Sequence, residues 1–268
     1  MQRPLWNWRH ILPSLVTLAA MLAGFISILV TTHGMSLAEN QQLAAKELYR
    51  WAALLIMLAM ILDGLDGNLA RWLKGQSDFG AELDTYVDLT AFGIAPAILV
   101  FAITLQTREP FWRVLLPSAV ALSGVVRLAR FKVKDPLRGQ GGYAGLPITA
   151  NAAWVALFIY VTLAPPHDRL EGWLAILFLF GIVVFIVLQL TNLRYPKPTK
   201  KASLFILCIV FVATLWGLSI HNPLYAARLA ILMMALGLIY VMIGPMFVKG
   251  VEARRARKEL RENTDVKD

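Results

Sequence analysis

The sequence predicts an all-α integral membrane protein of about eight transmembrane helices, and three observations carry that expectation. Only 16% of the 268 residues are charged, where a soluble domain carries about 25%. The mean hydropathy is +0.61. Apolar runs of bilayer-spanning length recur along the chain, and Glu109-Pro110, Pro165-Pro166 and Asn222-Pro223 punctuate the joints between them.

Taken in order, the spans are expected near 11–31, 49–73, 81–105, 111–131, 147–164, 171–191, 202–220 and 224–248. The first follows the short basic stretch MQRPLWNWRH, which has the look of a signal peptide. Its apolar run is long enough to cross a bilayer and no convincing cleavage site follows, so it reads as a retained helix. Spans two and three are unusual in being polar at facing ends, which only a functional site justifies. The later spans are plainly apolar. Cys208 lies alone within one of them, can make no intrachain disulfide, and reads as packing. Trp6, Trp8, Trp51, Trp154, Trp173 and Tyr195 fall near span ends and are expected to anchor at the membrane interface.

The net charge of +9 could suit nucleic acid, but the basic residues sit in short loops and at the C-terminus rather than along one surface. Anionic lipid headgroups are the better partner, and no nucleic acid is expected. With both termini cytoplasmic, 20 of the 26 Lys and Arg residues lie on that side. By the positive-inside rule this orients the chain in the cell membrane with the turn after Arg71 facing the cytoplasm. Residues 1–248 are expected to form one transmembrane catalytic domain. The segment 249–268 reads as a charged cytoplasmic tail, a helix trailing into disorder that holds topology.

The polar ends of spans two and three hold the chemistry. Within LDGLDGNLARWLKGQSDFGAELDTYVDL stand Asp63 and Asp66, spaced i,i+3, and Asp84 and Asp88, spaced i,i+4. Each pair shares one face of its helix, so two helices joined by a short turn can aim four carboxylates at one place. Unpartnered, they would repel strongly. Divalent cations with a preference for oxygen ligands are the obvious remedy. Intramembrane acids more often belong to ion pathways. These sit near one interface around a basic turn, whereas a transporter favours the midplane and repeated halves.

Written out, the segment is Asp63-x2-Asp66-Gly67-x2-Ala70-Arg71-x8-Gly80-x3-Asp84-x3-Asp88. It resembles, position for position, the signature of the CDP-alcohol phosphotransferases, membrane enzymes that displace CMP from a CDP-linked lipid or alcohol. The resemblance implies a six-helix core, here followed by two further C-terminal helices. It implies Mg²⁺ or Mn²⁺ as cofactor, two ions held by Asp63, Asp66, Asp84 and Asp88, with Asp88 also the catalytic base. Displacement at a phosphorus flanked by negative oxygens does need charge neutralisation and in-line positioning. Gly67, Ala70 and Gly80 leave room for a nucleotide close to backbone, and Arg71 offers a fork to phosphate. Ser77 matches a hydroxyl that contacts the nucleotide in relatives. Pro13, Ser14 and Thr17 resemble the family's Pro-Asn-x-x-Thr entry to the first helix, with Ser14 where that pattern has Asn.

Gly80-Ala81-Glu82-Leu83-Asp84, Arg127-Leu128-Ala129-Arg130-Phe131 and Asn192-Leu193-Arg194-Tyr195-Pro196 resemble the phosphatidylserine synthase branch. The implied substrates are CDP-diacylglycerol and L-serine, and a homodimer is implied as well. Glu82, Arg127 and Arg130 are candidates to bind the acceptor, against the plainer reading of Arg127 and Arg130 as interface anchors. Another acceptor (glycerol 3-phosphate, inositol phosphate or choline) and a divalent-cation transporter are the alternatives. The glycine-rich run 139–145 has no strand–helix setting for dinucleotide binding and reads as a lid or a connector. The four histidines receive no role.

Overall fold

The computed structural model describes residues 8–104, 110–133, 142–164, 172–196 and 201–265. Helix α1 (Trp8–Leu37) turns back through a short connection into α2 (Gln42–Trp72), and the two pack along each other. A third rod comprises α3 (Asp78–Val87), a π-helical segment Asp88–Ile94 and α4 (Ala95–Thr104). After it come α5 (Pro110–Val133), α6 (Ile148–Thr162), α7 (Trp173–Leu190), α8 (Lys201–His221) and α9 (Pro223–Asp265).

All eight expected spans therefore fall on helical rods. Six are long and apolar enough to cross a membrane, while Ile148–Thr162 and Cys208–His221 are shorter apolar helices. Leu15, Leu18, Leu22 and Leu29 on α1 are exposed, as are Ile176, Phe180 and Val183 on α7. Such faces suit acyl chains rather than water. Helix α9 carries on without a break into the basic C-terminal segment as far as Asp265.

Small residues let the central rods approach. A Cβ added to Gly24 of α1 would lie 2.6 Å from the Cβ of Ala91 in the π segment, so only glycine permits that contact. Ala52, Ala53, Ile56 and Ala59 of α2 are fully buried against the same interior. At the end of the rods away from the aspartates, the buried Arg50 donates from Nη1 to Glu47 Oε1 at 2.8 Å. Its Nη2 reaches Tyr160 Oη at 3.3 Å, and Tyr160 in turn pairs with Ser219 at 2.5 Å. A charge within an apolar bundle is thereby paired through both Nη atoms, and α2, α6 and α8 are tied together.

Two features revise the sequence expectations. Trp154 and Tyr195 are not interface anchors: they are 5% and 0% exposed. Trp154 stacks on Phe185 at 5.2 Å and fills the space left by Gly181. Tyr195 belongs to a two-stranded antiparallel ladder, β1 (Gly142–Ala144) with β2 (Arg194–Pro196), in which it faces Tyr143. Trp8 and Trp173 are exposed as expected of anchors, and Trp6 lies outside the described residues. Beyond β1, Gly145 adopts φ +76°, and a Cβ there would sit 2.7 Å from the Gln189 carbonyl oxygen. The ladder thus holds the end of the glycine-rich run, whose residues 139–141 are also outside the described ones.

Candidate active site

Local sequence shapes the turn that brings the two acidic helices together. Helix α2 ends with Gly75 N donating to Ala70 O at 2.9 Å and Lys74 N donating to Arg71 O at 3.3 Å. This is a Schellman closure, with Lys74 in the left-handed position at φ 51°. Three residues later Ser77 caps α3, its hydroxyl accepting from Gly80 N at 3.1 Å. The chain has then reversed, and the last turns of α2 face the first turns of α3.

The reversal converges the carboxylates. One oxygen from each of Asp63, Asp66 and Asp84 lies within 4.8 Å of the others. Asp66 is 5% exposed, and its Oδ2 is buried with no hydrogen-bond partner among the described residues. A buried, unpaired carboxylate oxygen beside two more carboxylates is costly unless a cation completes it. Three converging oxygen donors fit a hard divalent ion. Asp88 stands one helical turn beyond Asp84, where the rod changes to π geometry. Such local π turns recur at functional sites, though nothing in the spacing of the acids announced this one.

Two cavities meet at the aspartates. The first, about 470 Å³, is walled by Pro13, Ser14 and Thr17 from α1 and by Gly67, Ala70 and Arg71 from α2. Ser77 and Gly80 complete it, so every residue expected to contact the CDP-lipid lines this one space. A Cβ on Gly67 would meet only Arg71 Nη2, at 3.9 Å, so that backbone faces open volume. The second cavity, about 880 Å³, is bounded by Asp63, Asp88, Arg127 and Lys132. Asp66, Gly67, Arg71, Ala81 and Asp84 border both.

The acceptor candidates separate. Arg127 lines the second cavity and donates from Nε to Leu146 O at 2.7 Å, which also holds the loop after β1. Arg130 donates to Leu190 O at 2.7 Å, completing the C-terminus of α7, and is not among the residues lining either cavity. Glu82, likewise outside both linings, forms an exposed ion pair with Lys132.

Sequence reasoning missed two neighbours of the site. His10 lines the first cavity, with Nδ1 2.9 Å from Gly75 O. Asn68 Oδ1 accepts from Arg71 Nη2 at 2.8 Å. Asn68 sits three residues before Arg71 on the same helix, a spacing that was available to find it.

The family described as CDP-alcohol phosphatidyltransferase matches residues 10–243. The chain belongs to the CDP-alcohol phosphatidyltransferase family. It is a membrane-embedded transferase of phospholipid biosynthesis. The CDP-diacylglycerol–serine O-phosphatidyltransferase of Helicobacter pylori is 33% identical, the alignment covering 82% of this chain and 89% of that protein. The protein of the same name from Methanocaldococcus jannaschii is 31% identical, over 69% of this chain and 81% of its own length. The archaetidylserine synthase of Methanothermobacter thermautotrophicus is 30% identical, over 69% of this chain and 70% of its own.

Proposed function

We propose that this family member transfers the phosphatidyl group of CDP-diacylglycerol to the hydroxyl of L-serine, giving phosphatidylserine and CMP. The observation that carries the reading is the convergence of Asp63, Asp66 and Asp84 where two cavities meet, with Asp88 facing the second. The names of the relatives from Helicobacter pylori and Methanocaldococcus jannaschii support serine as acceptor.

The first cavity takes the cytidine nucleotide. Gly67, Ala70 and Gly80 allow its approach to backbone, and Arg71, steadied by Asn68, holds a phosphate. Asp63, Asp66, Asp84 and Asp88 would hold two Mg²⁺ or Mn²⁺ ions, which would supply the positive charge that a diphosphate needs at the reacting phosphorus. The second cavity takes serine. Asp88 accepts the proton of its hydroxyl as the serine oxygen bonds to the β-phosphorus, and the bond from that phosphorus to CMP breaks. Arg127 in the same wall meets the serine carboxylate, beside Lys132, which lines the cavity and is paired outside it with Glu82.

Residues 1–248 act as one catalytic domain, with the charged tail as an appendage on the cytoplasmic side. Both termini and the active site face the cytoplasm, as the distribution of Lys and Arg supports. The enzyme works as a homodimer, as the family resemblance implies.

The test incubates purified protein with CDP-diacylglycerol, Mn²⁺ or Mg²⁺ and each candidate alcohol in turn, and measures CMP release. Release with serine is expected. Release only with glycerol 3-phosphate overturns the acceptor, and metal flux without CMP release overturns the enzyme reading.

A further inference from the structure

His10, Ser14 and Thr17 follow one another along one face of α1, and all three line the first cavity. The innermost, Thr17, shares the cavity wall with Asp66. Seven residues of helix separate it from His10, a rise of about 10 Å. This is the scale that separates the diphosphate of a nucleotide from its base. A nucleotide whose phosphates sit at the aspartates therefore ends its base near His10.

The His10 ring is committed on one side. Its Nδ1 lies 2.9 Å from the Gly75 carbonyl oxygen, an atom that only accepts, so Nδ1 carries the proton. In the neutral ring Nε2 is then an acceptor. The ring is also held in place, because Gly75 packs so closely on the start of α1 that a Cβ there would fall 1.9 Å from Arg9 O.

We propose that His10 reads the nucleobase, its Nε2 accepting the exocyclic amine of cytosine in the first cavity. Uracil carries a carbonyl at that position, so a uridine nucleotide opposes two acceptors and is rejected. This rests on the reading of the first cavity as the nucleotide half of the site. It assigns a specificity-determining role to a residue outside the acidic signature.

The experiment measures binding of CMP and of UMP to the purified full chain with Mn²⁺, for the unsubstituted protein and for His10→Asn and His10→Phe. Asparagine places an amide donor where Nδ1 stands, keeping the bond to Gly75, and its remaining acceptor, Oδ1, falls short of the place of Nε2. Phenylalanine keeps the ring and removes both. The unsubstituted protein is expected to prefer CMP by about tenfold or more, which corresponds to about 1.4 kcal/mol. His10→Asn is expected to bring the two affinities within about twofold while its thermal unfolding stays unchanged. A CMP preference that survives in His10→Asn and His10→Phe overturns the proposal and leaves the nucleotide reading intact. Failure of the unsubstituted protein to bind either nucleotide overturns both.

Discussion

Asn68 Oδ1 accepts a hydrogen bond from Arg71 Nη2 at 2.8 Å, while its Nδ2 donates to Gly64 O at 2.7 Å. The amide is therefore held at both ends and fixes the guanidinium at the border of the two cavities. Asn68→Ala removes that support and leaves Arg71 to several rotamers. The expected result is a rise of about fivefold in KM for CDP-diacylglycerol with kcat little changed, matching about 1 kcal/mol of lost positioning. Steady-state kinetics with varied CDP-lipid check it.

Asp88→Asn keeps the size and polarity of the side chain and removes the proton acceptor. Turnover is expected to fall by about 10²–10⁴-fold, with CMP still bound. Activity near that of the unsubstituted protein would remove Asp88 from the role of base.

Asp84→Asn takes one oxygen donor of full charge from the converging trio. The Mn²⁺ concentration for half-maximal activity is expected to rise by more than the roughly 10–100-fold that loss of an outer-sphere partner costs. Chelation of divalent ions is expected to abolish turnover in the unsubstituted protein, and added Mn²⁺ or Mg²⁺ to restore it. Metal titration of CMP release reads both effects.

Lys74 closes α2 in a left-handed conformation that a residue with a Cβ adopts at a cost. Lys74→Gly relieves this and is expected to stabilise the fold by about 0.5–1 kcal/mol, seen as a rise in the midpoint of thermal unfolding in detergent. A lowered midpoint would mean that the lysine side chain contributes more than its backbone costs.

Gly75→Ala acts in the opposite direction. Its Cβ would meet the Arg9 carbonyl oxygen at 1.9 Å and force the start of α1 away from the turn. A loss of about 1–3 kcal/mol in stability is expected, together with weaker CMP binding, because His10, Pro13 and Ser14 move with α1. Thermal unfolding and CMP titration of the same preparation separate the two effects.

By itself, the sequence determined the helical membrane class, the placing of the spans, and three aspartates that converge, Asp63, Asp66 and Asp84. These follow from local rules: apolar runs as long as a bilayer is thick, and acids spaced so that a helix puts them on one face. Tertiary structure alone decided that Trp154 and Tyr195 are interior, that residues 142–144 pair with 194–196, and that His10 stands in the wall of a cavity. His10 and Gly75 are 65 residues apart, and no periodicity along the chain reports a contact that exists only once α1 has docked on the turn between α2 and α3. Hydropathy shows which side chains avoid water. It does not tell a lipid-facing aromatic ring from one that fills the gap beside a glycine on another helix, because both are equally apolar.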